Sequence, residues 1–462
     1  MRRFNICTTL FAVIMLCLPQ ISFAAMSNED MLNKLNELSI IIQKQQQEIE
    51  MLKQELKNQK ESINKVKEAP KEKMTKTVRT ETKEKSEDWS EKIPKWIKNT
   101  RISGDLRLRY EGIYNREEEQ ADGSLKDLPN RDRFRIRARL FFDSHISDEI
   151  STQIMLSTNQ DTNQEAPTSN QTLNDDFNDK GIYLARAYAV YKPNWLKKLE
   201  LVGGKFKNTF LHTDIMWDPD VNPEGAYEYY QYPGWANFKP FAQLGQMAVN
   251  EVADQTDDAA LFIYQAGFDW TIGKFNWILA GSYYDWANLE NSKYLHEANY
   301  KNGGGNTFIL DANGDLQYAY DYNLWEGISF VKFKLAEIPT TLIFDYIVNT
   351  ADNVSSGQDT AYYIGFNLGE EKKKGDWSLE YKYARIERDA VIGSMNDQDF
   401  YGANRKGHKV KLKYMVLDRL RFDAAYFYTD PVTEWDPSDV TFSKNQEREH
   451  EDRVQTDLIF NF

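Results

Sequence analysis

Apolar and polar residues alternate with a period of two over most of the chain from residue 101 onward. In the first segment of this kind, Leu108 lies between Arg107 and Arg109. Because successive side chains of a β-strand point to opposite faces, the pattern predicts strands with one apolar and one polar face. Sixteen segments show it: 102–114, 131–143, 149–160, 181–192, 198–206, 223–232, 236–248, 259–271, 274–286, 321–337, 339–350, 358–369, 375–388, 406–417, 418–430 and 451–462.

The connections between these segments alternate between long polar loops and short turns. The long loops are 115–130, 161–180, 207–222, 249–258, 287–320, 350–358, 389–405 and 431–450. Outer-membrane barrels show this asymmetry, with long loops outside the cell and tight turns in the periplasm. The sequence therefore predicts an all-β fold, a 16-stranded antiparallel transmembrane β-barrel over residues 101–462. An even strand number brings both ends of the barrel to the periplasmic side.

Basic residues concentrate on the polar faces of the first and last strands. They are Arg107, Arg109, Arg133, Arg135, Arg137, Arg139, Arg186, Lys382, Lys409, Lys411, Lys413, Arg421 and Arg453. A charge that faces lipid at mid-depth costs about 2–4 kcal/mol, so we expect these side chains to face a lumen that holds water. The competing explanation is pairing with acids of the wall for stability, and we expect some pairs with Asp105, Glu111, Asp423 and Asp457.

Three segments precede the barrel. Residues 1–25 combine Arg2 and Arg3 with an apolar run and small residues, which indicates a signal peptide. Residues 26–66 carry a seven-residue repeat, with Leu35, Ile42 and Ile49 in one seam, which predicts a periplasmic coiled coil of two or three chains. Residues 67–100 form a charged linker. Its end holds two tryptophans, which suit either a membrane interface or packing on the barrel.

Composition removes several classes of function. The chain has 57 basic and 71 acidic residues, for a net charge of −14, and both cysteines lie in the signal peptide. Disulfide scaffolds, thiol catalysis and cysteine zinc sites are thereby excluded for the mature chain. The long loops hold 30 acidic and 9 basic residues. The five histidines lie far apart along the chain, and residues 311–315 are better explained by a hairpin turn than by a calcium loop. We expect no catalytic site, cofactor, metal or nucleic-acid partner.

Four segments resemble a known family. They are ISGDLRLRYEG at 102–112, RDRFRIRAR at 131–139, GKFKNTF at 204–210 and WDPDVNPEG at 217–225. From about residue 90 to its end the chain resembles the "Putative porin" family of Gram-negative bacteria, relatives of the general trimeric diffusion porins. The resemblance implies a homotrimer in the outer membrane, in contact with its lipids, in which each barrel encloses water and has a constriction. Small hydrophilic solutes or ions would be the permeants, and the resemblance does not say which.

The resemblance also implies where the constriction lies. In the trimeric porins the third long loop folds inward, and its acids face arginines on the opposite wall. Here that loop is 207–222, with Asp214, Asp218 and Asp220, and it carries an unusual apolar load that includes Phe210 and Trp217. The expected partners on the wall are Arg107, Arg109, Arg133, Arg135, Arg137 and Arg139, with Arg186 nearby.

The last strand carries one further signal, and one alternative function stays open. Phe460 and Phe462 fall on the apolar face of a terminal alternating strand, which resembles the signal read by the bacterial barrel-assembly machinery. The leading expectation is passive diffusion of small hydrophilic solutes. The alternative is an envelope-tethering protein, whose coiled coil contacts peptidoglycan and whose barrel is mainly an anchor.

Overall fold

A computed structural model describes residues 94–119, 125–159, 168–251, 258–289, 304–310, 316–400, 402–433 and 450–462. The chain divides into two compact units, Met1–Ser90 and Glu91–Phe462. The predicted signal peptide, the predicted coiled coil and most of the predicted linker lie outside the described residues.

Sixteen strands of the described residues form a closed antiparallel β-barrel, and this prediction is confirmed. In chain order β1 to β16 are Thr100–Tyr114, Arg131–His145, Ile150–Thr158, Ile182–Tyr191, Leu199–Lys205, Glu224–Gln231, Phe238–Ala248, Ala260–Ile272, Phe275–Ala287, Tyr322–Leu335, Ile338–Asn349, Thr360–Gly369, Trp377–Ile386, Arg405–Leu417, Leu420–Pro431 and Glu451–Asn461. Each lies within a few residues of its predicted segment.

The barrel closes where β16 pairs with β1. Their register runs from Asp105 opposite Asn461 to Tyr114 opposite Asp452. Beyond the end of β16, the backbone groups of Gly104 and Phe462 exchange two hydrogen bonds of 2.9 and 3.0 Å. The C-terminal residue is therefore tied to the first strand, and β16, β1 and β2 form one continuous stretch of wall.

Alternation along the strands separates the two faces of the wall. On β1 and β2, Leu108 and Phe134 are 42% and 64% exposed, whereas Arg109 and Arg135 are 5% and 4% exposed. The apolar residues thus point outward, where lipid would be, and the arginines point inward. Near the short turns, Phe238 contacts Phe268 and Trp270, and Phe268 contacts Trp277, with ring centroids 5.2–5.8 Å apart. Such clusters are typical of the aromatic girdle of outer-membrane barrels.

Shorter elements belong to the ends and loops. They are a helix at Lys95–Lys98, strands Glu117–Glu119, Leu125–Asp127, Gln171–Thr172, Phe308–Leu310 and Leu316–Tyr318, and 3₁₀ turns at Asp175–Phe177 and Gln398–Phe400. Phe308–Leu310 pairs with Leu316–Tyr318, as expected for the hairpin predicted in the fifth long loop, and its turn residues 311–315 lie outside the described residues. No helix among the described residues is long and apolar enough to cross a membrane.

An apolar core lies inside the barrel. Three loops contribute to it: L3 (206–223), L5 (288–321) and L7 (387–404). Their buried residues pack on inward-facing side chains of neighbouring strands, such as Ile263 and Ile347. The core includes Phe206, Phe210, Ile215, Met216, Trp217, Phe308, Tyr318, Val391, Ile392 and Phe400 of the loops. Part of the lumen is therefore filled, and the sequence analysis predicted such filling for L3 alone.

Candidate functional site

The arginine wall consists of seven inward-facing arginines on three adjacent strands. They are Arg107 and Arg109 on β1, Arg133, Arg135, Arg137 and Arg139 on β2, and Arg453 on β16. The antiparallel register places Arg107 opposite Arg137 and Arg109 opposite Arg135. Alternation on two paired strands therefore stacks the guanidinium groups into a ladder along the lumen.

Three carboxylates of the same strands hold these arginines. Asp105 accepts from Arg137 at 2.8 Å and from Arg139 at 2.7 Å. Glu111 accepts from Arg133 at 2.6 Å, and Asp457 receives two bonds from Arg109, at 2.7 and 2.9 Å. The predicted pairing within the wall is confirmed for these residues, and it fixes the fork of each guanidinium in place.

L3 enters the barrel. Its Trp217 stacks on Trp286 of β9 with ring centroids 6.1 Å apart, and both rings are buried. The backbone of Leu211 exchanges two 2.8 Å hydrogen bonds with the side chain of Gln265 on β8. L3 therefore packs inside the barrel against β8 and β9, on the side opposite the arginines.

The three acids of L3 have different partners. Asp214 pairs with Lys382 at 2.8 Å and with Lys409 at 3.3 Å, not with the arginine wall. Asp220 accepts from the backbone and hydroxyl of Ser169, at 2.9 and 2.7 Å. Burial opposes ionisation of Asp220, but the nearby charges of Arg137 and Arg107 outweigh it and lower its pKa.

Among the three acids of L3, Asp218 is the one whose ionised form is least favoured. Burial raises its pKa well above the ordinary range, and the neighbouring charges of Asp220 and Asp397 raise it further. Its backbone N–H donates to the carbonyl of Met395 in L7 at 2.7 Å. The acidic side of the site is thus shared between L3 and a second loop.

L7 is the principal element that the sequence analysis missed. Its Asp399 forms ion pairs with Arg109 at 3.1 Å and with Arg453 at 2.8 Å. Its Asp397 lies 3.2 Å from Lys382. The signal for inward folding was present in the apolar pair Val391-Ile392, which is unusual for a loop in water.

The second long loop, L2 (159–181), also reaches the arginine wall. Residues Gln171–Thr172 pair with β2 at Ile136 and Arg135, above the end of β3. The side chain of Asn170 accepts a hydrogen bond from Arg107. Nothing in the polar sequence of this loop distinguishes it from a loop in solvent. Its position against the arginine wall could therefore not be predicted from the sequence.

A gap lies between the arginine wall and the edges of L3 and L7, and Asp399 bridges it at Arg109 and Arg453. The cavity there measures about 270 Å³, and its described lining has ten basic and five acidic side chains. Eight of the ten residues predicted for the constriction line it, among them Arg107, Arg109, Arg133, Arg135, Arg137, Asp218 and Asp220. Asp214 lines it too, from the far side.

Arg139 and Arg186 lie apart from this gap. Both line an adjoining cavity behind Asp220. Arg186 donates to Asn222 of L3 at 2.6 Å, so it holds the base of that loop. Among the described residues no group of histidines and acids has an arrangement that would hold a metal ion.

A closed sixteen-stranded barrel with an apolar outer face and a charged interior defines an outer-membrane β-barrel protein. The model of the "Putative porin" family matches residues 23–129, 124–308 and 306–443. The chain therefore belongs to this porin family, whose fold is that of channel proteins rather than enzymes, and its location is the outer membrane of a Gram-negative bacterium.

The solved structure of OprB agrees on the fold. OprB of Pseudomonas putida, in a high-pH structure, matches with a TM-score of 0.50 at 11% identity, over 81% of this chain and 97% of that one. OmpF of Salmonella typhi, in a complex with daunomycin, matches with a TM-score of 0.46 at 9% identity, over 79% of this chain and 97% of that one. A search of curated protein sequences found no match.

Proposed function

We propose that this protein is a homotrimeric porin through which small hydrophilic solutes and ions diffuse passively. One observation carries the proposal: L3 and L7 fold into the barrel and leave a charged gap between their acids and the arginine wall. Ions and polar solutes would pass this gap, where bases on one side and acids on the other create a transverse field. Such a field sorts solutes by charge and dipole.

The size of the barrel and the placement of its charges both support a water-filled path. A sixteen-stranded barrel is wide enough to leave an aqueous channel. The arginines occupy inward positions on strands whose alternate residues, such as Leu108, are exposed on the outer face. Charges in this position are stable only if water or opposite charges surround them. The wall carboxylates are fewer than the arginines, so water is needed as well.

Planar-bilayer recording of the purified protein tests the proposal. We expect stable conductance steps in KCl that add up in groups of three. A barrel that serves only to anchor an envelope-tethering protein would give no steps after insertion, although it would still show the circular dichroism of a folded β-barrel. That result would contradict the porin proposal and favour the tether.

The trimer and the N-terminal segments belong to the same proposal. The heptads of residues 26–66 would join three protomers in the periplasm, in addition to contacts between barrel walls. We further propose that Phe460 and Phe462 serve as the assembly signal. The mass of the detergent-solubilised protein tests the trimer, with a chain lacking 26–66 as the comparison. A monomer that persists with the heptads intact would rule out this assembly.

A further inference from the structure

Asp399 forms a bridge between two strands of the arginine wall. Its Oδ2 lies 3.1 Å from Arg109 Nη1, and its Oδ1 lies 2.8 Å from Arg453 Nη1. Each carboxylate oxygen therefore binds a different guanidinium group. A planar anion with two oxygens fits this pair of forks, because each guanidinium presents its N–H groups in a fixed plane.

The two arginines have other partners that hold them in position. Arg109 makes two bonds to Asp457, at 2.7 and 2.9 Å, and Arg453 lies 3.7 Å from Glu451. Both arginines stand on strands of the barrel and are nearly buried. The site for a carboxylate is therefore built into the wall and does not depend on Asp399 for its shape.

Asp399 differs from its partners in its place in the fold and in its exposure. It lies in the one-turn segment Gln398–Phe400 of L7, not on a strand, and its side chain is 28% exposed against 4–5% for the two arginines. Burial opposes its charge, but Arg109 and Arg453 outweigh that effect and hold the pKa of Asp399 well below its usual range. The loop thus presents to the wall a carboxylate whose ionised form the two arginines favour.

We propose that Arg109 and Arg453 form a binding subsite for small solutes that carry a carboxylate, and that Asp399 occupies it as an internal competitor. The proposal rests on the channel function proposed above and names a substrate class for it. A solute carboxylate would displace that of Asp399, pass along the arginine wall and release the subsite again.

The balance of charge along the gap favours anions over cations at this point. Its described lining holds twice as many basic as acidic side chains, and the wall carboxylates Asp105, Glu111 and Asp457 are buried beneath the arginines. A neutral solute gains nothing from this excess. The competitor keeps binding weak enough for release, which a conducting channel requires.

Block of KCl current by succinate, with uncharged succinamide as its matched control, tests the proposal in planar bilayers. In the native trimer we expect succinate, but not succinamide, to reduce the current. In Asp399→Asn the half-blocking succinate concentration should fall about tenfold, because a charge-assisted competitor is removed. The control is Asp352→Asn, which removes the same charge from an exposed residue of the sixth long loop and should leave the block unchanged.

A second variant moves the block in the opposite direction. Arg453→Lys keeps the positive charge but loses the planar fork, so succinate should block about tenfold less strongly. A merely structural role of the ion pair would shift both variants the same way. Equal block by succinate and succinamide, or an unchanged block in both variants, would overturn the subsite while leaving the channel intact. Absence of any conductance in the native protein would instead overturn the proposed channel function.

Discussion

The two sides of the lumen are built in opposite ways from strands of the same kind. On the side of β16, β1 and β2, the inward residues are arginines held by a few wall carboxylates, and the gap beside them is open. On the side of β8 to β13, inward residues such as Ile263 and Ile347 are apolar and covered by L3, L5 and L7. The comparison indicates that apolar inward faces are covered by loop side chains, whereas the arginine wall meets L2 and Asp399 through a few polar contacts beside the gap.

Elementary energetics explains the division. Covering apolar side chains removes their surface from water, and each fully buried large side chain contributes about 1.5–3 kcal/mol. Packing a loop against seven arginines would instead strip water from charges at a cost that only complete pairing could offset. L3 and L7 therefore dock mainly on the apolar side, and the arginine wall is met only by polar contacts such as those of Asp399 and of Asn170 in L2. Lys382, buried between Asp214 and Asp397, is where the two kinds of surface meet.

Removing the largest apolar anchor of L3 should have the largest effect. Trp217→Ala empties the space against Trp286, and large-to-small changes of this kind cost about 3–5 kcal/mol. We expect a lower free energy of unfolding in detergent, measured in urea by the loss of the β-sheet circular dichroism signal. We also expect a larger and noisier conductance in planar bilayers. The matched control is Trp195→Ala, since Trp195 is 75% exposed in a short turn. If both variants unfold alike, the apolar filling does not stabilise the loop.

Removing charge from the open side should change selectivity more than stability. The double variant Arg135→Ala with Arg137→Ala leaves Glu111 paired with Arg133 and Asp105 paired with Arg139. We expect a higher conductance and a cation-to-anion permeability ratio raised roughly tenfold, since two charges facing the path are lost. Reversal potentials in a KCl gradient measure this. Unchanged conductance and selectivity would remove these arginines from the constriction.

A smaller effect is expected where L3 is held by a single polar contact. The Thr213 hydroxyl donates to Asp345 on β11 at 2.6 Å, and both side chains are buried. Thr213→Val keeps the shape but leaves the carboxyl oxygen unsatisfied, which costs about 1–3 kcal/mol. Thr341→Val, on β11 itself, is the control in the same urea titration. Equal midpoints for the two variants would show that this bond does not hold L3.

The sequence was informative where a side chain's neighbours lie on the same or the next strand. Alternation predicted all sixteen strands, because the period of two is a local property of the backbone. It also predicted which face of β1 and β2 carries the arginines. The apolar residues of L3, such as Trp217, predicted that L3 needs a surface to cover.

Long-range partners could not be predicted in the same way. Asp214 was assigned to the arginine wall, but it pairs with Lys382 and Lys409, which lie more than 160 residues away in the sequence. Asp399 was not singled out, since only the docking of L7 against L3 carries it to Arg109. These pairings depend on how three loops pack together inside a closed barrel, and no periodicity along the chain reports that packing.

The smallest predicted effect concerns pH and tests whether one acid at the meeting of L3 and L7 is neutral. Burial first, and then the charges of Asp220 and Asp397, raise the pKa of Asp218 well above its ordinary value, whereas the pKa of Asp220 is lowered. Asp218 is therefore protonated at a pH where an ordinary aspartate is ionised, and it gains negative charge as the pH rises through the raised pKa.

In the native channel, cation preference should increase modestly with pH above the usual carboxyl range. Asp218→Asn should flatten this dependence, whereas Asp352→Asn should preserve it. Reversal potentials recorded from pH 4.5 to pH 8 (a range chosen to begin just above about 3.9, the ordinary aspartate pKa) distinguish the two variants. Identical pH profiles for the native channel and Asp218→Asn would mean that Asp218 is not the titrating group.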